Sequence, residues 1–158
     1  MFWIIASLVL AFMLAPILWI VPSPRQRRQM RLRERARELG ITVQIATFPQ
    51  TRRQRVRKEE EYQGLAYCMA LPKARAAERW RFWLDAAARE GEEFTPPAAI
   101  AAAMQRVAGE LPNDCRVVEA GGRMLRVWWR EANAEVATVE ALADLMNRMI
   151  DEDFADEQ

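Results

Sequence analysis

The side chains that could do chemistry here are carboxylates, two thiols and many guanidinium groups. Asp85, Glu90, Glu92 and Glu93 crowd one stretch, and "DEDFADE" lies near the C-terminal end. Paired carboxylates can divide acid and base work or hold magnesium, but that chemistry needs a set spacing. None of these acids stands at one, and the acidic run lacks the glycine and closing glutamate of a calcium loop. Cys68 and Cys115 are isolated, without a CxxC pair, so they read as reduced thiols packed as small apolar groups. The absence of histidine removes Ser-His and Cys-His pairs and the usual nitrogen ligand of zinc. Gly121 and Gly122 fit neither GxxxxGK[ST] nor GxGxxG, so they are not a phosphate loop. No catalytic residue, metal site or cofactor is expected, and the chain reads as a non-enzyme.

The guanidinium groups are segregated. Net charge is +1 over 158 residues, yet residues 25–58 carry twelve basic residues against two glutamates, and residues 59–158 carry eleven against twenty. Such asymmetry points to an interaction surface or an electrostatic sorting signal. The candidates for lipid or partner contact are Arg25, Arg27, Arg28, Arg31, Arg35, Arg52, Arg53, Arg55, Arg57 and Lys58.

The elements that must position these groups begin with an apolar stretch. Residues 1–21, "MFWIIASLVLAFMLAPILWIV", contain no charged side chain, and about 20 helical residues at 1.5 Å each match a bilayer's ~30 Å hydrocarbon core. The stretch is expected to be a transmembrane helix with Trp3 and Trp19 as interface anchors. Arginines follow it and do not precede it, which favours an anchor over a cleaved signal and places the N-terminus outside with the remainder cytoplasmic. Residues 22–40 then read as a basic juxtamembrane helix, capped by Ser23, with Pro24 in its first turn and Gly40 past its end. Its apolar stripe is thin: Met30, Leu32, Ala36 and Leu39. Anionic headgroups attract such a segment by about 1 kcal/mol per basic residue.

Residues 41–158 read as an α+β domain with a small antiparallel sheet of about five strands packed by two helices. Ile41, Val43 and Ile45 alternate as in a half-buried strand, and "GLAYCMAL" is a central strand covered on both faces. Residues 49–63 read as a solvated basic loop. "ERWRFWLD" is read as a strand, with a helical stripe as its alternative. "TPPAAIAAAMQRVAGEL" is an amphipathic helix with Thr95 as its cap. "CRVVEAGGRMLRVWWRE" is a hairpin in which both glycines supply positive φ. "TVEALADLMNRMI" is a second amphipathic helix, capped by Thr138. Trp128 and Trp129 are adjacent in a strand, so they face opposite ways, and one of them is a candidate partner surface.

Taken together, "PSPRQRRQMRLRERARELGI", "RWRFW" and "EAGGRMLRVWWRE" behind one apolar stretch resemble small single-pass inner-membrane proteins of proteobacteria, some labelled preprotein-translocase-subunit-like. The resemblance implies a bacterial inner-membrane location and protein partners there. The expected function is a membrane-anchored, cytoplasm-facing adaptor or accessory subunit of an inner-membrane complex. The alternative is a peripheral tether binding anionic lipid through residues 25–58. Nucleic acid is not expected as a partner, because no reading motif or stacking platform accompanies the arginines.

Overall fold

The computed structural model describes residues 2–19, 22–72, 77–132 and 134–153. The chain forms two compact units, Met1–Arg31 and Leu32–Gln158. The first holds helix α1 (Phe2–Trp19) and the opening turns of helix α2 (Pro24–Glu38). α1 has 18 residues, about 27 Å at 1.5 Å per residue. Among the described residues no helix is long and apolar enough to cross a membrane.

That finding overturns the expected transmembrane helix at 1–21, of which residues 1, 20 and 21 lie outside the described residues. Everything inferred from a single-pass span goes with it: the outward N-terminus, the inner-membrane location, and the bilayer and anionic headgroups as partners of residues 25–58. The anchoring roles of Trp3 and Trp19 go too. Trp3 is exposed and meets Phe2 edge-on at 6.3 Å, while the Trp19 side chain lies outside the described residues.

α2 starts as its sequence predicts. The Ser23 hydroxyl accepts from the Gln26 N–H (3.3 Å) and the Gln26 side-chain oxygen accepts from the Ser23 N–H (2.8 Å), a reciprocal capping box. Gly40 follows its end with φ 81°, a conformation glycine adopts without steric penalty. The second half of α2 belongs to the larger unit, where Leu32 and Ala36 are buried and Arg33 and Arg35 are tied down. Arg33 donates to both carboxylate oxygens of Glu131 (3.3 and 3.2 Å), and Arg35 donates to Glu140 (2.8 Å). At least these two arginines of the basic block therefore have an internal, structural use.

The larger unit is built on strands β1 (Thr42–Thr47), β2 (Gln63–Ala70), β3 (Ala77–Trp83), β4 (Cys115–Gly122) and β5 (Met124–Trp129). They form one antiparallel sheet in the order β1-β2-β5-β4-β3. β3 is a strand, as its alternation predicts. Period-two alternation sends Tyr67, Met69, Trp80, Phe82, Val118, Leu125, Val127 and Trp129 to one face. There they form the main core with Leu32 and Ala36 of α2, Ile100 and Met104 of helix α4 (Ala98–Val107), and Val139, Leu142 and Met146 of helix α5 (Val136–Arg148). Full burial of each large apolar side chain stabilises by roughly 1.5–3 kcal/mol. The opposite face carries Ala66, Cys68, Trp83, Val117 and Trp128, closed over by Phe48. An α+β fold with a five-stranded antiparallel sheet packed by helices is thus observed.

Local details differ from expectation. The segment 49–63 contains a helix, α3 (Arg52–Arg57), which Thr51 caps in a box with Gln54 and which Lys58 ends at φ 52°. It has no buried face, so apolar periodicity could not announce it. Pro97, not Thr95, stands at the N-cap of α4, with no side-chain cap. Glu135 caps α5, and Thr138 is the third residue inside, its hydroxyl accepting from the Glu135 N–H at 3.2 Å. In the hairpin only Gly122 has positive φ (60°), because Gly121 is paired with Met124 and the two-residue turn is Gly122 and Arg123. Glycine at the first turn position is the requirement of a type II′ turn.

Candidate functional site

The face of the sheet away from the three long helices carries the unusual chemistry. Gly64 of β2 starts it: a Cβ there would lie 2.8 Å from the Phe48 ring and 3.3 Å from Trp128, so only glycine lets Phe48 settle across the strand. Phe48 follows β1, its N–H donating to the Tyr62 carbonyl at 2.9 Å. Its ring stacks on Tyr62 at 4.9 Å and meets Trp128 and Trp83 edge-on at 5.4 and 6.3 Å. Four aromatic rings thus form a floor between α3 and the ends of β4 and β5.

Beside this floor runs a buried charge ladder. Arg126, Glu119 and Arg81 stand in register on β5, β4 and β3. Arg81 donates through Nε and Nη2 to one oxygen of Glu119 (3.0 and 2.7 Å), and its Nη1 lies 3.5 Å from Glu92. Glu92 also accepts the Trp83 indole N–H at 2.6 Å, and Arg126 lies 3.5 Å from the other Glu119 oxygen. Burying these charges costs desolvation, offset only because each has a close partner. The acids that sequence reading weighed for catalysis are therefore partners elsewhere: Asp85 accepts from the Ala87 N–H at 3.0 Å, Glu90 pairs with Arg53 at 2.9 Å, and Glu93 lies 3.7 Å from Arg55. Among the described residues no three His, Cys, Asp or Glu side chains gather to hold a metal.

Two concavities open on the face. The larger, about 380 Å³, is lined by Phe48, Tyr62 and Trp83 and by Arg53 and Arg57 of α3, with Arg116 and Arg130 opposite and Glu59 and Asp85 as its acids. Arg116 and Arg130 have no acidic partner among the described residues. The smaller, about 290 Å³, lies on the other side of Phe48, with Arg55, Arg79, Arg81, Phe94, Glu119 and Trp128 among its walls.

The structure brings Arg53 and Arg57 together at the cleft and sends Arg55 to the smaller cavity. Arg52 lines a third hollow with Gly91, and Lys58 terminates α3. Arg25, Arg27, Arg28 and Arg31 belong to the smaller unit, where Arg27 donates to the Pro22 carbonyl at 3.0 Å. Trp128 and Trp129 do face opposite ways, but both are buried, at 4 % and 2 % exposure, so neither ring offers an open surface. Arg116 and Arg130 escaped sequence reading because they are isolated in the chain and the β4–β5 register alone makes them neighbours. The thiols of Cys68 and Cys115 are both pushed up from their ordinary value by burial.

No family model, curated protein or solved structure matches this chain. The resemblance to single-pass inner-membrane proteins is corrected accordingly: no family model carries it, and among the described residues no helix is long and apolar enough to cross a membrane.

Proposed function

We propose that the Leu32–Gln158 unit is a non-catalytic protein-interaction module that takes an acidic segment of a partner protein on its loop-covered face. The observation that supports this reading is the larger cleft, where four arginines and three aromatic rings meet two carboxylates. Guanidinium forks pair two-pronged with carboxylates, and aromatic side chains bury apolar neighbours beside them, so an acidic stretch with interspersed aromatics complements both. A single nucleic-acid strand is the weaker fit. It would need a continuous positive track, and here Glu59, Glu90 and Glu93 interrupt the arginines of α3.

The test is fluorescence anisotropy of the full chain with a labelled peptide of alternating glutamate and phenylalanine. Binding is expected to weaken as salt rises and to fall about tenfold or more in the double variant Arg116→Gln, Arg130→Gln. A lysine-phenylalanine peptide should not bind. Tighter binding of a single-stranded oligonucleotide than of the acidic peptide would overturn the proposal.

A further inference from the structure

We infer that two copies of this chain pair through β1, antiparallel about a two-fold axis at Ile45, so that their five-stranded sheets run on into one. The inference is independent of the acidic-segment reading and rests on the contrast between the sheet's two outer strands, β1 and β3. An outer strand offers unpaired N–H and C=O groups to any other chain, and proteins guard such edges with charges, bulges, prolines or a covering segment. β3 is guarded in several of these ways. Its pairing with β4 is irregular between Ala77 and Trp80, it carries Glu78, Arg79 and Arg81, and the Arg81 N–H on its free side is taken by the Phe94 carbonyl at 2.6 Å.

β1 has no such guard among the described residues. Its 6 residues contain no charge and no proline, and they pair with β2 without a break in register. The alternation of that ladder shows which groups are left over. The Phe48 N–H donates to the Tyr62 carbonyl one step beyond the Thr47–Gln63 pair, so Ala46, Gln44 and Thr42 also turn their N–H and C=O groups toward β2. Those of Val43, Ile45 and Thr47 therefore point outward from the edge, where the sheet has no further strand. The side chains of these three residues share the helix-covered side, where Val43 packs partly on the main core while Ile45 is 68 % exposed.

A second β1 fits this edge. With Ile45 opposite Ile45, Val43 of each copy faces Thr47 of the other, and every outward N–H and C=O of the three residues finds a partner. The two Ile45 side chains meet on one face, flanked by Val43 against Thr47, and such cross-strand pairs stabilise a ladder. No like charges are opposed, because β1 carries none. The strand that matches this edge in length, pairing pattern and lack of charge is β1 itself.

The test is sedimentation velocity of the full chain over a concentration series, in which the wild-type chain is expected to form dimers. Ile45→Lys and Ile45→Glu each set like charges against one another at the axis and should each weaken self-association at least about tenfold. An equimolar mixture of the two variants should restore it through an opposite-charge pair, a rescue that only a two-fold axis at this position allows. Circular dichroism of both variants should match wild type, since Ile45 is exposed. Hydrogen exchange reads the wild-type chain itself: the Val43, Ile45 and Thr47 amides should be protected in the dimer and lose that protection on dilution, while the Gln44 and Ala46 amides, bonded to β2, keep theirs. Self-association unchanged in Ile45→Lys, or not restored by mixing, overturns the inference. A wild-type chain that stays monomeric throughout the series overturns it as well and leaves this edge to a strand of another protein.

Discussion

Trp128 and Trp129 are neighbours on one strand, equally buried, and chemically opposite. Trp129 packs against Tyr67 at 5.0 Å in the helix-covered core, and its indole N–H is taken by Asp114 at 2.5 Å. Asp114 also accepts from the Ala132 N–H at 2.8 Å, so it clamps the strand end as well as the ring. The Tyr67 hydroxyl donates to Glu131 at 2.6 Å, and Glu131 is in turn held by Arg33. Trp128, on the other face, packs against Phe48, and its N–H makes no hydrogen bond among the described residues. The Trp129 donor is therefore satisfied within the fold and the Trp128 donor, among the described residues, is not.

Substitutions on each face of the sheet separate the two tryptophans. Trp129→Ala should cost about 3–5 kcal/mol in chemical denaturation, as other large core residues do. Trp129→Phe should cost more than Trp128→Phe, because only the former also leaves Asp114 without its indole donor. Equal losses would show that the faces are not different in kind. Arg81→Met should destabilise by about 3–5 kcal/mol by stranding Glu119 and Glu92 in a buried site. A near-neutral result would mean that water reaches the ladder.

Gly64→Val should cost about 1–3 kcal/mol by displacing Phe48 from the strand, and it should also abolish the aromatic floor, which loss of peptide binding would report. Alkali separates the faces more gently. Burial, and then the hydrogen bond to Glu131, raise the Tyr67 hydroxyl above its ordinary value, and burial raises Cys115 likewise; both lie in the helix-covered core. The unfolded chain ionises these groups from about pH 9 upward while the folded chain keeps them neutral, so their stabilisation is complete below that pH and is lost as pH rises through the folded values. Denaturation midpoints should fall above about pH 9, and both thiols should resist alkylation at pH 8 until the chain unfolds. The smallest effect is expected for Arg116→Gln with Arg130→Gln, whose stability should change by no more than about 0.5 kcal/mol.

Much of this division was legible in the sequence, because alternation is a local signal. "GLAYCMAL", "ERWRFW" and the glycine-marked hairpin became β2, β3 and the β4–β5 pair, and the split between Trp128 and Trp129 follows from the strand period alone. The capping box at Thr51 and Gln54 was equally legible and would have exposed α3, but a six-residue helix without a buried stripe has no periodicity to find. The charge ladder was not legible, since Arg81 and Glu119 are 38 residues apart and meet only through strand pairing. The apolar N-terminal stretch misled for another reason. Hydropathy reports composition alone, and among the described residues no helix is long and apolar enough to cross a membrane.

Docking of an acidic segment on the Phe48 face of the sheet can be read residue by residue by mapping the glutamate-phenylalanine peptide onto the labelled full-length protein by NMR. Shifts are expected at Phe48, Tyr62, Trp83, Arg116 and Arg130, with the Trp129 indole and the core residues of α4 and α5 unmoved. A footprint on those helices, with Tyr62, Trp83, Arg116 and Arg130 unmoved, would contradict it.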